Sequence, residues 1–328
     1  MNISFRACTP VLLAIWLAVT GSGAAPAAVE AWETLPNGVQ GRLANFDGAG
    51  GVRIAGYVRK PPGDGPVPIV IVLHGGGPTA KPVSADTDAA RAEKLVAEAV
   101  RAAQVMGRST NPPLLDFLAR GWAVYTIDYR PNPRYKLDPL EWDDTQVAIN
   151  QARGFPFVDP KRIAIYGGSH GAHVAGRMVS REQLACAVLC APAGIDLIAL
   201  AQLAGKGTPI GGNQRLVREA EQRAGMKMSE LGKNPAAHRY TSLITEAAGA
   251  RCPILLISGR NDPNAPLPVM EAYADKLRAA GKVVETYHPD NGPHGFYVGL
   301  PKPIPETEES TRRAVAFIQR HFDQKRTK

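Results

Sequence analysis

Short apolar runs alternate with segments of helical periodicity along most of the chain. Five runs are apolar on both faces, as expected of central strands in a parallel sheet. They occupy residues 68–73, 122–127, 162–166, 186–190 and 253–258, and a weaker run at 283–287 adds a candidate edge strand. Apolar residues three and four apart predict helices at 114–120, 143–153, 172–181, 268–280 and 306–322. The alternation predicts an α/β fold with a mostly parallel sheet and helices on both faces.

Two further β-rich runs precede this pattern. Residues 39–46 and 52–59 flank the sequence DGAGG at 47–51, whose glycines permit tight turn geometry. This arrangement predicts an antiparallel hairpin. Together with the six later strands, it gives a sheet of about eight strands.

Two segments are longer than ordinary connections. Residues 78–110 contain one apolar stripe at helical spacing. Residues 194–250 are predicted to form a polar, helical insertion between two parallel strands. Long insertions on α/β scaffolds often form lids or substrate-binding caps. The alternative, surface decoration without a role, stays open for both.

The N-terminus has the layout of a secretory signal peptide. One basic residue precedes nine consecutive apolar residues (11–19), and a small, alanine-rich stretch follows them. Nine residues are too few to span a bilayer, which takes about 20. We therefore expect residues 1–27 to be a cleaved signal, residues 28–328 to form one domain, and the mature protein to be secreted or periplasmic. An uncleaved N-terminal anchor is the alternative.

Composition narrows the class of protein. Hydrophobic residues make up 45% of the 328 residues, which excludes collagen, coiled coils and bulk disorder. The 38 Lys and Arg against 30 Asp and Glu give a net charge of +8, but no run of five basic residues occurs. A nucleic-acid partner is therefore not expected. The excess of Lys and Arg over Asp and Glu is explained by its contribution to solubility. The alternative is that it favours anionic or polysaccharide substrates.

The number and placement of the cysteines are compatible with one disulfide but do not require it. Cys8 lies in the predicted signal, and three cysteines remain. Cys186 and Cys190 share one strand, about 13 Å apart, which is beyond the reach of a disulfide. Cys186 and Cys252 each begin a predicted strand and are neighbours if those strands pair. Three buried free thiols are the expected state, and a Cys186–Cys252 bridge is the alternative.

The motif Gly167-Gly168-Ser169-His170-Gly171 follows a predicted strand and precedes a predicted helix. A nucleophilic serine requires such a sharp strand-to-helix turn, and the glycines permit the strained backbone and close packing. Ser169 is therefore the candidate nucleophile. A phosphate-binding glycine turn is the alternative.

A second glycine motif, His74-Gly75-Gly76-Gly77, directly follows the strand at 68–73. Backbone amides in such a loop approach a ligand closely and stabilise an oxyanion. We assign the oxyanion hole to the N–H groups of Gly75 and Gly76 and to that of His170. His74 is expected to hold the shape of the loop, and the His170 ring to face an acyl pocket.

An acid and a base follow the last two predicted strands. Asp262 lies after the strand at 253–258 and His294 after the strand at 283–287. Because the carboxyl ends of parallel strands meet at one edge, both side chains are expected near Ser169. Helix capping by Asp262 and a turn role for His294 are the alternatives. His170 and His173 are three residues apart, but that spacing alone is a weak metal signal. A serine, a histidine and an aspartate need neither a metal nor an organic cofactor for hydrolysis, and none is expected.

These motifs resemble those of the α/β-hydrolases, in the branch of prolyl oligopeptidase and dienelactone hydrolase. The similarity rests on five segments: VLHGGGP (72–78), IDYRPNPRY (127–135), VDPKRIAIYGGSHGAHVAGRM (158–178), PILLISGRNDPNAP (253–266) with its G-x-x-D-x-x-x-P loop, and GPHGF (292–296). It covers roughly residues 50–325 outside the two insertions. The resemblance implies an α/β-hydrolase fold with Ser169 as nucleophile, His294 as base and Asp262 as orienting acid.

The resemblance also bears on the substrate. The large peptidases of this branch carry an N-terminal propeller, for which the roughly 40 residues after the predicted signal leave no room. Relatives with HGGG are often esterases. We therefore expect hydrolysis of a small-molecule or saccharide-linked ester through an acyl-enzyme. A small serine peptidase is the main alternative, with Glu219, Glu221 and Glu230 as candidate amine anchors, although ordinary surface charges on helices explain these acids as well. An acyltransferase and a non-catalytic binding protein complete the alternatives.

Overall fold

A nine-stranded sheet forms the centre of the protein in the computed structural model, which describes residues 31–76, 113–130, 139–231, 242–298 and 304–326. The strands are β1 (Glu33–Thr34), β2 (Gln40–Leu43), β3 (Phe46–Asp47), β4 (Arg53–Ile54), β5 (Gly56–Lys60), β6 (Val67–Leu73), β7 (Ala123–Ile127), β8 (Val158–Gly168), β9 (Cys186–Cys190), β10 (Ile254–Ile257) and β11 (Val284–Tyr287). The order in the sheet is β1-β2-β5-β7-β6-β8-β9-β10-β11, and β3 and β4 pair separately.

The sheet is mostly parallel, as predicted. Strands β7, β6, β8, β9, β10 and β11 form a continuous parallel array, whereas β1, β2 and β5 add an antiparallel edge. The predicted hairpin is present, but it is divided into the pairs β2–β5 and β3–β4. At its tip, Gly50 and Gly51 have φ of 71° and 75°, the left-handed conformation that glycine adopts without strain.

Eight α-helices occur within the described ranges. They are α1 (Leu114–Ala119), α2 (Pro139–Arg153), α3 (His170–Arg181), α4 (Leu197–Gly205), α5 (Asn213–Ala224), α6 (Met228–Leu231), α7 (Leu267–Ala279) and α8 (Pro305–Arg326). Helices α2 and α3 pack together against β8, and α1 and α8 form a second group that also contacts this part of the sheet. The core therefore lies on both faces of β6, β7 and the second half of β8, where nearly all residues are buried, whereas residues 159–162 at the start of β8 are partly or fully exposed.

The second predicted insertion is only partly polar. Helix α5 is polar in composition, as expected, although it buries Leu216 and Val217 on one face. Helix α4 is apolar and buries Leu197, Ile198 and Leu200. Asp196 caps α4 by accepting hydrogen bonds from the backbone N–H groups of Ile198 and Ala199. An isolated bridge between Asp196 and Ser242 closes the base of the insertion. The first predicted insertion, 78–110, lies entirely outside the described residues.

The three described cysteines are buried free thiols, so the alternative of a Cys186–Cys252 disulfide is wrong. Burial raises the pKa of Cys190 and that of Cys252 to about 12, and that of Cys186 well above its ordinary value. Since the thiolate is the reactive form, all three are protected.

We expect the native protein to leave these thiols unmodified by a thiol-specific chromogenic reagent. A protein that lacks residues 1–27, and with them Cys8, should expose all three when it is unfolded in guanidinium without a reductant. Loss of two thiols from the unfolded count would instead reveal a disulfide.

The predicted signal at 1–27 falls outside the described residues. Within the ranges that the structure describes, none of the helices has both the length and the hydrophobicity required to cross a membrane.

Candidate active site

Ser169 occupies a sharp turn between the end of β8 and the start of α3. Its backbone has φ 53° and ψ −113°, a strained conformation for a residue with a Cβ atom. Its N–H donates a 2.8 Å hydrogen bond to the carbonyl of Cys190 at the end of β9. This arrangement projects the side chain from the carboxyl edge of the sheet.

The flanking glycines are required by close backbone packing. A Cβ atom on Gly167 would lie 2.4 Å from the carbonyl oxygen of Gly171, and one on Gly171 would lie 2.2 Å from that of Leu73. Helix α3 therefore begins directly against the ends of β6 and β8. This explains why the helix starts at His170, two residues before the predicted start.

The structure brings Ser169, His294 and Asp262 together. Nε2 of His294 lies 3.0 Å from Oγ of Ser169, and Nδ1 of His294 lies 2.7 Å from Oδ2 of Asp262. The Asp262 side chain is 1% exposed, whereas that of His294 is 29% exposed. A buried carboxylate that holds one ring nitrogen leaves the other free to accept the serine proton. Helix capping by Asp262 and a turn role for His294, the two alternatives from the sequence, do not account for these contacts.

The loops that carry the acid and the histidine are packed directly on each other. Oδ1 of Asp262 accepts a 2.8 Å hydrogen bond from the N–H of Asn264, which fixes the carboxylate. A Cβ atom on Gly259 would lie only 1.6 Å from the carbonyl oxygen of Gly292. The distance between Asp262 and His294 therefore depends on the absence of a side chain at position 259.

Gly259→Ala is expected to destabilise the protein by about 2–3 kcal/mol, because the backbone of one loop must move. The shift should also separate Asp262 from His294 and lower catalytic activity. Thermal unfolding and steady-state kinetics measure the two effects.

Gly205→Ala is the matched control. A Cβ atom there has no neighbour within 4 Å, and the residue ends α4. Alanine at this position should leave activity unchanged and stability equal or slightly higher. Equal effects of the two substitutions would show that the Gly259 contact is unimportant.

The glycine loop after β6 lies beside the nucleophile. A Cβ atom on Gly75 would be 3.3 Å from Cβ of Ser169, and Gly76 has φ 83°. The N–H of His170 belongs to the first turn of α3, where amides have no partner within the helix and carry partial positive charge. Gly75 and His170 thus lie beside Ser169, with Gly76 next to Gly75, and their assignment as oxyanion donors stays a prediction. Gly77 lies outside the described residues.

His74 supports this loop, as the sequence analysis expects. Its Nε2 lies 3.1 Å from Oδ1 of Asp128, and its carbonyl oxygen accepts a 2.8 Å hydrogen bond from the hydroxyl of Tyr129. The His170 ring, by contrast, does not take its expected orientation towards an acyl pocket. It is buried, and its Nε2 lies 3.0 Å from Oε2 of Glu141.

Tyr297 is a neighbour of the nucleophile that sequence reasoning missed. Burial raises the pKa of its phenol well above the ordinary value, against the opposing effect of hydrogen bonds with Ser169. Its ring would contact a Cβ atom on Gly168 at 2.8 Å, and it packs edge-on against the His294 ring. Its place three residues after His294 is the only sequence signal that pointed to it.

The candidate amine anchors have local partners instead. Glu219 pairs with Arg215, Glu221 accepts from the N–H of Met228, and Glu230 approaches the N–H of Lys227. These contacts account for the charges as features of α5 and α6. Across the described part of the chain, no group of three or more His, Cys, Asp or Glu side chains has the arrangement of a metal site.

Comparison with known proteins places this geometry in a family. The profile of a family described by its α/β hydrolase fold matches residues 109–298, more than half of the chain. The quorum-quenching protein AidA of Acinetobacter baumannii (strain MDR-ZJ06) is 28% identical over 149 residues, which are 43% of this chain and 40% of that protein. The match therefore spans less than half of that relative.

Two solved structures illustrate the shared fold. The acetyl xylan esterase from Paenibacillus sp. R4 superposes with a TM-score of 0.64 at 18% identity, over 89% of this chain and 87% of that one. The acylaminoacyl peptidase of Pyrococcus horikoshii superposes with a TM-score of 0.58 at 15% identity, over 86% of this chain and 41% of that one. The chain belongs to the α/β-hydrolase family, which confirms the resemblance, the fold class and the enzyme class, a serine hydrolase, predicted from its sequence.

Proposed function

We propose that the protein hydrolyses carboxylic esters by acyl transfer, with Ser169 as nucleophile, His294 as base and Asp262 as orienting acid. The observation that carries the proposal is the pair of contacts of His294, at 3.0 Å to Oγ of Ser169 and 2.7 Å to Asp262. Nucleophile, base and orienting group at hydrogen-bond distance are what covalent catalysis of this kind requires.

The reaction proceeds in two steps. His294 takes the hydroxyl proton as Oγ of Ser169 attacks the ester carbonyl, and the oxyanion forms beside the amides of Gly75, Gly76 and His170. Asp262 stabilises the charged imidazole, which then donates its proton to the departing alcohol. Water attacks the acyl-enzyme with His294 again as base, which releases the acid and restores Ser169.

An ester substrate is favoured over a peptide by two observations. The glycine loop carries the HGGG sequence, and the match to an acetyl xylan esterase extends over most of both chains. The match to an acylaminoacyl peptidase extends over less than half of that chain. The local partners of Glu219, Glu221 and Glu230 also give no support to an exopeptidase anchor. A saccharide-linked or other small-molecule ester is the substrate class we propose.

Paired steady-state kinetics test the ester preference. One panel contains p-nitrophenyl esters of increasing acyl length, and the other contains peptide p-nitroanilides, including one with proline before the scissile bond. We expect Ser169-dependent turnover of esters alone. Cleavage of the anilides at a comparable kcat/KM would establish the peptidase instead. Since serine peptidases also cleave activated esters, the anilide panel decides the question.

We further propose export through the signal at residues 1–27. The apolar run at 11–19 and the small residues after it support this proposal. Fusion of residues 1–35 to a reporter enzyme that is active only outside the cytoplasm should yield active reporter. An inactive, intracellular fusion would contradict export.

A further inference from the structure

Two buried polar atoms behind the oxyanion hole have only each other as a polar neighbour among the described residues. Oε2 of Glu141 and Nε2 of His170 lie 3.0 Å apart, in side chains that are 1% and 5% exposed. Neither atom has another hydrogen-bond partner in the part of the chain that the structure describes. Because such burial costs free energy, a buried pair of this kind requires an explanation beyond packing.

The pair connects the start of α3 to α2. His170 is the first residue of α3, and its backbone N–H is one of the assigned oxyanion donors. Glu141 lies in the first turn of α2. The contact between their side chains therefore restrains the amide that follows the nucleophile, which forms one wall of the oxyanion hole.

The opposite wall, the glycine loop, is held by Tyr129 and Asp128. The hydroxyl of Tyr129 donates a 2.8 Å hydrogen bond to the carbonyl oxygen of His74, the residue before Gly75. The backbone N–H of Tyr129 and Nε2 of His74 both contact Oδ1 of Asp128, at 2.8 Å and 3.1 Å. The loop is thereby fixed at a main-chain atom one residue from the donor.

Tyr129 touches both walls. Its ring centroid lies 4.6 Å from that of His74 and 4.8 Å from that of His170, edge-on to the latter. We propose that Tyr129 is a positioning residue that sets the separation of the Gly75 and His170 amides, with Asp128 and Glu141 anchoring the two sides. The inference rests on the proposed acyl-transfer function.

This role predicts a particular kinetic signature. The amides bind the oxyanion of the tetrahedral intermediate more strongly than the ground-state carbonyl, so their alignment affects the transition state selectively. Loss of the Tyr129 hydroxyl should therefore lower kcat and leave KM nearly unchanged. A residue that only supports the fold would not separate the two constants.

Tyr125→Phe provides a matched control for Tyr129→Phe. Tyr125 is a buried tyrosine on β7, and its hydroxyl also donates a 2.8 Å hydrogen bond to a main-chain carbonyl, that of Ala44. Both substitutions remove one buried hydroxyl without changing the ring. They differ in that the Tyr129 hydroxyl contacts the glycine loop, whereas the Tyr125 hydroxyl contacts the edge of the sheet and Oε1 of Gln151 near the end of α2, away from the oxyanion hole.

The test compares wild type, Tyr129→Phe, Tyr125→Phe and Ser169→Ala on one p-nitrophenyl ester. It also measures inhibition by a trifluoromethyl ketone of the same acyl length. Ser169 adds to that ketone, its proton passes to His294, and the resulting oxyanion occupies the hole. We expect Tyr129→Phe to lower kcat by roughly 10- to 100-fold, to change KM by less than about twofold, and to weaken the ketone by the same factor as kcat. Tyr125→Phe should change each quantity by less than about twofold.

Two variants of Glu141 test the other wall. Glu141→Gln retains an acceptor oxygen facing His170 and should keep kcat within about threefold, whereas Glu141→Leu should lose about tenfold or more. Thermal unfolding of each variant shows whether the substitution destabilises the fold. If the Glu141 variants are destabilised, the kinetics of the isosteric Tyr129→Phe variant decide whether the positioning role holds.

Failure of the inference is distinguishable from failure of the proposed function. Equal kcat losses in Tyr129→Phe and Tyr125→Phe, or a loss expressed in KM, would overturn the positioning role while leaving the esterase intact. Absence of Ser169-dependent turnover in the wild type would overturn both.

Discussion

Ser169→Ala is expected to lower ester turnover by roughly a million-fold, because the nucleophile and its base act as one unit. The residual rate should be that of direct attack by water on a bound ester whose carbonyl oxygen lies near the oxyanion donors. The measurement is kcat on the best p-nitrophenyl ester, with enzyme at high concentration to detect the residual rate. Retention of more than a hundredth of the wild-type kcat would exclude Ser169 as the nucleophile.

Ser169→Gly separates the chemical role of this residue from its structural cost. Alanine retains the Cβ atom and hence the strain of φ 53° and ψ −113°, whereas glycine relieves it. Both variants should be inactive, but we expect the glycine variant to be about 1 kcal/mol more stable than the alanine variant. Urea denaturation measures the difference, and a less stable glycine variant would contradict strain at the turn.

Asp262→Asn is expected to lower kcat by roughly ten thousand-fold with little change in KM. The amide keeps the size of the side chain but presents a neutral group to Nδ1 of His294, so the correct ring tautomer and the charged imidazole lose their support. The hydrogen bond from the N–H of Asn264 can persist, and the loop should keep its shape.

Asp290→Asn is the control for charge alone. Asp290 lies in the same region but is largely exposed, and its ion pair with Arg260 is at the surface. Since such pairs contribute little, this variant should retain kcat within about twofold. Similar losses in the two variants would show that general electrostatics, rather than the Asp262–His294 contact, supports the reaction.

The elements that carry the site were predictable because their signals are local. Buried strands such as β6 and β9 are short apolar runs, and the glycine motifs follow them directly. Chain order and the rule that parallel strands share a carboxyl edge were enough to expect Ser169, Asp262 and His294 near one another, and the structure places them in contact.

Contacts between distant segments were not predictable in the same way. Glu141 and Tyr129 reach the oxyanion hole only through the packing of α2 and of the loop after β7. Tyr129 lies in the IDYRPNPRY segment that carries the family resemblance, but neither that motif nor periodicity indicates what its side chain contacts. The orientation of His170 towards Glu141 depends on the same packing. The apolar face of α4 is not evident from the sequence of the insertion as a whole, because this short helix lies within a segment that is mostly polar.

Covalent labelling tests the central claim most directly. A fluorophosphonate loses fluoride as Oγ of an activated serine bonds to phosphorus, and peptide mass analysis locates the adduct. The account predicts one adduct per chain, on the peptide that contains Ser169, with none in Ser169→Ala and a strongly reduced rate in Asp262→Asn. An adduct on a different residue, or a wild-type protein that hydrolyses esters without any labelling of Ser169, would contradict it.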